Sequence, residues 1–279
     1  MKKWVYHLLI VVFSGVFLVS GGVLLCYYLE SRAQSRSYDQ LAALVAEVKS
    51  TAPTQSPEEQ ALDLPVQATE PEDIWMTVTD PETGKPVQLL PEYAQLYTMN
   101  NDLVGWIQLP GTKLDYPVMQ TPQAADYYLK RDFYQKYSSH GCIYAEEECN
   151  VTASDNVTLY GHFMKDGSMF ASLGEYKSQS YWQANPLLYF DTLQQRSTYE
   201  IFAVFVTTAS EGEGFYYHTF VEAQTQQEYD DFVATCKEIS LYDTGITPRY
   251  GERLLTLSTC EYTRTNGRLV VVARCKDAR

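Results

Sequence analysis

Positive charge is scarce in this sequence: 21 Lys and Arg stand against 35 Asp and Glu, for a formal net charge of -14. With no basic cluster to replace counterions along a phosphate backbone, a general nucleic-acid binder is excluded. Neither a G-x-G-x-x-G nor a Walker A stretch occurs, so no nucleotide pocket is supported. No C-x-x-C pair is present, and one of the six Cys lies in an N-terminal apolar run. The remainder, Cys142, Cys149, Cys236, Cys260 and Cys275, are odd in number, which rules out a fully paired disulfide scaffold. Histidine is also sparse, with four in 279 residues, so candidates for a general base are few. Apolar and aromatic residues are plentiful: 45% of the chain is hydrophobic and 23 residues are Tyr. That composition excludes a wholly disordered chain, and the length allows one or two domains. No internal repeat is evident.

The run from Trp4 to Leu29 contains no charged residue and is interrupted only by His7 and by small residues such as Ser14, Gly15 and Gly21. About 20 apolar residues suffice to cross the hydrocarbon layer as a helix. A cleavable signal peptide has a shorter apolar region, of roughly 7 to 15 residues, so the run reads as an uncleaved anchor. Lys2 and Lys3 precede it and Glu30 follows, which places the N-terminus on the cytoplasmic side and the rest outside. The expected division is 1–3 cytoplasmic, 4–29 transmembrane, 30–90 extracytoplasmic stalk and 91–279 a folded domain. Within the stalk, Leu41, Leu44, Val45 and Val48 recur at helical spacing over 31–49. From Ser50 to Gly84 the chain is punctuated by Pro53, Pro57, Pro65, Pro71 and Pro81, and eight acidic residues lie between Glu58 and Glu82 without a Lys or Arg. This stretch reads as an extended, self-repelling linker.

From Pro91 onward the pattern is mainly strand-like. PEYAQLYTMN predicts a short helix, and VGWIQLPGTKLDYPV two extended pieces around a Pro-Gly turn. Further strands are expected at 141–145, 157–161, 187–191, 199–208, 253–260 and 268–275, with helical patterns around 169–183 and 226–239. The last two strands are separated by seven residues and should be neighbours. Many short strands and few helices favour a barrel or sandwich over a doubly wound sheet.

Cys260 closes the strand-like run LLTLSTC. A thiol at the end of a rigid strand is held in place and can be accessible, as a nucleophile must be. At an ordinary pKa of about 8.5 such a thiol needs a base or a cation beside it. His162, after VTLYG and at the head of the loop HFMKDG, is the best-placed base, and Arg268, opening RLVVVARC, can donate to an oxyanion. Each also has an ordinary reading: a core cysteine, a structural histidine, a surface arginine. Spacing alone does not bring the three together.

The stretches NDLVGWIQLPGTKLDYPV, NVTLYGHFMKDGSMFASLGEYK, TLSTC and GRLVVVAR occur in that order between Asn101 and Cys275. This region resembles the sortases, the cysteine transpeptidases of Gram-positive cell surfaces, and most of all class B. The resemblance implies an eight-stranded β-barrel with peripheral short helices, the extra class B helix falling near 226–239. It also implies Cys260 as nucleophile, His162 as acid/base and Arg268, rather than Arg264 or Arg274, as the residue that orients substrate and stabilises the oxyanion. The implied reaction attacks the Thr carbonyl of a C-terminal sorting motif, forms a thioester on Cys260 and transfers the surface protein to a peptidoglycan amine. A pilus-type polymerase with a lysine acceptor and a non-catalytic membrane-tethered binding module are the alternatives.

Around this core the sequence offers Ser258, Thr259, Tyr262 and Phe163 as pocket residues. Phe163 and Tyr262 stand where some relatives have a polar and an acidic residue. The segment 207–250, with EGEGFYYH and the amphipathic EYDDFVATCKEI, is expected to form much of the groove wall, and His218 within it reads as an exposed loop histidine. No cofactor is implied. Cys142, Cys149 and His140 lack structural zinc spacing, and Glu146, Glu147 and Glu148 read as a solvated turn. A Cys142–Cys149 disulfide is an open alternative.

Overall fold

The computed structural model describes residues 3–51, 75–210 and 212–278. Helix α1 (Lys3–Thr51) takes in both the apolar run and the helical pattern expected over 31–49, as one unbroken element. It is long and apolar enough to cross a membrane. The chain divides into two compact units, 1–40 and 41–279. Leu41 and Val45 are buried and Lys49 donates to Asp191 at 3.2 Å, so the last turns of α1 pack in the second unit.

Residues 52–74, which hold most of the proline-rich linker, lie outside the described residues. The end of that linker is not extended coil. Strands β1 (Met76–Thr79) and β2 (Pro86–Leu89) pair antiparallel. Thr77, Val78 and Val87 suit a strand, and Asp80 accepts from the amides of Glu82 and Thr83 to close the turn. Helix α2 (Pro91–Met99) starts on a proline, whose missing N–H costs nothing at that position, and buries Tyr93, Ala94, Leu96 and Tyr97.

Eight strands then close a barrel: β3 (Leu103–Gln108), β4 (Asp115–Met119), β5 (Ile143–Ala145), β6 (Asn156–Tyr160), β7 (Leu187–Thr192), β8 (Ser197–Thr208), β9 (Leu254–Glu261) and β10 (Gly267–Ala278). Their order around the barrel is β10-β8-β7-β3-β4-β5-β6-β9. The expected strands and the β9–β10 neighbourhood are all present, and the 169–183 pattern resolves into a 3-10 helix (Phe170–Lys177) and α3 (Gln179–Ala184). Leu254 through Thr259 and Leu269 through Ala273 are buried without alternation, which requires both faces of β9 and β10 to be covered. One cover is α4 (Gln226–Glu238), which sets Tyr229, Phe232, Val233 and Cys236 against Phe202, Phe205, Val270 and Val272. Thr225 caps its N-terminus by accepting from the Glu228 amide, while the Glu228 carboxylate accepts from the Gln224 amide.

Candidate active site

Strand pairing brings together the three groups that the sequence leaves 98 and 8 positions apart. Cys260, near the end of β9, lies directly opposite Arg268, the second residue of β10. Residues opposite one another in an antiparallel ladder have Cβ atoms about 4.5–5.5 Å apart on the same face. That register separates Arg268 from its rivals. Arg264 is exposed in the connecting loop, and Arg274 faces Leu254 and is held by Glu200 at 2.8 Å and Glu252 at 3.3 Å. Among the described residues no carboxylate pairs with Arg268, whose Nη1 donates only to the Asn266 and Gly267 carbonyls at 3.3 and 3.0 Å.

His162 arrives from the other side of β9. Strand β6 runs parallel to β9 with Tyr160 beside Ser258, and the Gly161 amide donates to the Ser258 carbonyl at 3.2 Å. His162 and Cys260, each two residues further on, therefore leave adjacent strands at the same end. A Cβ on Gly161 would come within 2.5 Å of Ile143 and 2.8 Å of Phe170, so only glycine lets the chain pass here to deliver His162. The Phe170 amide fixes the His162 carbonyl at 3.0 Å, and His162 Nε2 donates to the Leu129 carbonyl at 2.7 Å. Because a carbonyl only accepts, Nε2 carries a proton and Nδ1 is the ring nitrogen left to exchange one.

Cys260, His162 and Arg268 all border one cavity of about 320 Å³, together with Ser258, Thr259, Leu129, Ala125, Asp126, Tyr144, Glu146, Glu147, Tyr160 and Gly161. Ser258 shares the face of Cys260, and its hydroxyl is hydrogen-bonded to Tyr217 at 2.6 Å. Strand alternation turns the Thr259 side chain to the opposite face, where its buried hydroxyl has no partner among the described residues. Beside the nucleophile strand, Glu261 anchors the barrel wall: its carboxylate takes Lys177 at 2.5 Å and both the amide and hydroxyl of Thr263. Burial opposes its ionisation, but these hydrogen bonds and the lysine bring it down to about 2.

Several expected pocket residues lie elsewhere. Phe163 and Tyr262 do not border the cavity; their rings meet edge to face at 6.0 Å, and Tyr262 is 74% exposed. The loop after His162 brings the Phe163 ring up against Gly174. None of the described residues in 207–250 borders the cavity, because α4 packs on the outside of the barrel and only Tyr217 reaches the floor, through Ser258. The wall comes instead from the segments 125–129 and 144–147. Glu146 and Glu147, read as a solvated turn, are half-buried members of that wall.

Among the described residues the other cysteines, Cys142 and Cys149 included, form no disulfide. Burial pushes Cys149 up to about 11 and also raises Cys236 and Cys275, so none of these three is a ready thiolate near neutral pH. His140 is buried against Asp166 at 3.1 Å, and His218 is half-buried between Tyr216 and Tyr217 rather than exposed. Among the described residues, no group of three or more His, Cys, Asp or Glu is arranged to hold a metal ion.

The sortase domain profile matches residues 107–276. Sortase B of Staphylococcus aureus is 33% identical over 187 residues, 66% of this chain and 74% of that protein. Sortase B of Listeria monocytogenes is 31% identical over 183 residues, 64% of this chain and 72% of that protein. The solved structure of a Staphylococcus aureus sortase B-substrate complex superposes with a TM-score of 0.70 at 26% identity, covering 88% of this chain and 98% of that one. With its closed eight-stranded barrel and a cysteine, histidine and arginine around one cavity, the chain belongs to the sortase family and is a cysteine transpeptidase of the sortase B type.

Proposed function

We propose that Cys260 is the nucleophile, His162 the acid and base, and Arg268 the residue that orients the scissile carbonyl. The observation that carries this reading is the register that sets Arg268 opposite Cys260, while the parallel neighbour β6 delivers His162 to the same cavity. The Cys260 thiolate attacks the Thr carbonyl of a C-terminal sorting motif, and the Arg268 guanidinium, unclaimed by any carboxylate among the described residues, donates to the oxyanion. Collapse of that intermediate expels an amine, which takes its proton from the imidazolium, and a thioester remains on Cys260. An incoming peptidoglycan amine then attacks the thioester, His162 Nδ1 accepts its proton, and the surface protein leaves joined to the wall. Ser258 and Thr259 border the same cavity, whereas Phe163 and Tyr262 do not. Water competes for the same thioester, so slow hydrolysis accompanies transfer.

Single-turnover kinetics of the His162→Gln variant test the double role. Acylation and amine-dependent release should both slow, each by about 10²–10⁴-fold. A variant that slows only one of the two steps contradicts a shared acid/base.

The protein crosses the membrane once and holds its catalytic domain outside the cytoplasm. We infer that residues 1–3 are cytoplasmic, 4–29 span the bilayer and 30–90 connect to the catalytic domain at 91–279, the described connector residues 41–51 and 75–90 falling in the same unit as that domain. An N-terminal epitope tag should survive protease added to intact cells; its digestion there would reverse the orientation.

A further inference from the structure

The cavity beside Cys260 has two chemically unlike walls. Arg268 and His162, its only basic side chains, stand on the strand side. The same lining carries Asp126, Glu146 and Glu147, and among the described residues none of these three forms an ion pair with a Lys or Arg. Two of the carboxylates are held by tyrosines. The Tyr144 hydroxyl donates to Asp126 at 2.6 Å, and the Tyr160 hydroxyl donates to Glu146. Tyr144 and Tyr160 are register partners across β5 and β6, with ring centroids 5.4 Å apart, so the two tyrosine–carboxylate pairs stand side by side. The Glu146 backbone is equally constrained: its amide donates to Thr158 at 2.8 Å, and its carbonyl accepts from Gln120 at 2.7 Å and from the Cys149 thiol at 3.1 Å. This is a fixed acidic face without a countercharge, on the cavity that takes the substrate.

We propose that Glu146 is a specificity-determining residue of this transpeptidase, its carboxylate receiving an alkylammonium group carried by a substrate. The group belongs either to a basic side chain of the sorting peptide or to the acceptor amine. An ammonium entering the cavity is repelled by Arg268 and attracted to the Glu146 face, which orients the molecule carrying it across the thiol. Tyr160 is the positioning residue: it holds the carboxylate and lies two residues before His162, so the cation site and the proton-transfer group share one strand end. Burial, together with the neighbouring Glu147 and Glu148, raises the Glu146 carboxyl to about 7, a crowding that a bound cation relieves.

The inference rests on Cys260 being the nucleophile, and the test keeps the two apart. Full-length protein in detergent is acylated with a library of peptides that share a fixed Thr and carry Lys or norleucine at each neighbouring position. Release by triglycine is measured on the same thioester. If the peptide supplies the cation, Lys at one position should raise kcat/KM over norleucine by about tenfold, the worth of one charge-assisted hydrogen bond. E146Q should then reduce that ratio to about twofold or less, while E146D, which keeps the charge, retains part of it. If the acceptor supplies the cation, no position prefers Lys, and the KM for triglycine rises about tenfold in E146Q and less in E146D. A merely structural role lowers all substrates alike in both variants and leaves every ratio unchanged; that result overturns the proposal. Absence of any acylation by the wild-type protein falls on the nucleophile assignment and takes this proposal with it.

Discussion

The two walls of the cavity are built in different ways. The strand wall, with Cys260, Arg268 and the backbone of Ser258, is fixed by continuous ladders, and each functional side chain occupies a register position. The facing wall comes from the segment 125–129 and from the end of β5 at 144–147, where Tyr144 and Ala145 pair with β6 and side-chain bonds such as Tyr144 to Asp126 and Tyr160 to Glu146 tie the pieces together. His162 belongs to both, since its backbone continues β6 while its ring is tied to the Leu129 carbonyl. The difference separates chemistry from selection: groups that must meet within a few tenths of an ångström sit on paired strands, and groups that discriminate between substrates sit on connections.

Substitutions should respect this division. The largest effect belongs to the strand wall: Cys260→Ala is expected to lower transpeptidation by about 10⁴-fold or more, measured as peptide release in the presence of an amine. Arg268→Lys keeps the charge but loses the planar fork, and should reduce kcat by about 10²–10³-fold with a smaller change in KM. A selective rise in KM would instead move Arg268 from the oxyanion to ground-state binding. Gly161→Ala forces the chain off Ile143 and Phe170 and displaces His162; a loss of about 10²-fold in kcat/KM is expected, and retention of full activity would show that the imidazole is not held from its backbone.

The smallest effect lies behind the nucleophile. Lys177→Met removes the partner of the buried Glu261 carboxylate and should cost about 1–2 kcal/mol, discounted because the lysine is 41% exposed. Glu261 is held at about 2 in the folded protein against an ordinary 4.5. Its contribution is therefore complete above pH 4.5 and fades as the pH falls toward 2. Thermal unfolding should show Lys177→Met below wild type at pH 7 and the two converging near pH 2. A constant gap across that range would detach the stability from this pair.

The same contrast explains what could be read from the sequence. The apolar runs of β9 and β10 and the exit of Cys260 from one of them are local signals; many short strands favour a barrel or a sandwich, and the family resemblance implies the barrel. Choosing Arg268 over Arg264 needed the family resemblance; the ladder supplies the physical reason by setting it opposite Cys260. The facing wall was illegible, because Glu146 becomes a cavity residue only when Tyr160, fourteen positions on, closes over it, and three consecutive glutamates otherwise read as solvated. The segment 207–250, expected to form much of the groove wall, contributes no described residue to this cavity; its amphipathic helix, with its apolar face at Tyr229, Phe232, Val233 and Cys236, covers the barrel from outside. Prolines and acids likewise concealed the β1–β2 hairpin at the end of the linker, which β-branched residues and the Asp80 turn form locally.

The most direct test of the account is intact-protein mass spectrometry of the full-length chain in detergent, incubated with the Thr-containing peptide library with and without triglycine. The account predicts one thioester adduct, mapped to Cys260, absent in Cys260→Ala and depleted when the amine is added. An adduct on another cysteine, or none on a folded protein with a reduced Cys260 thiol, would contradict it.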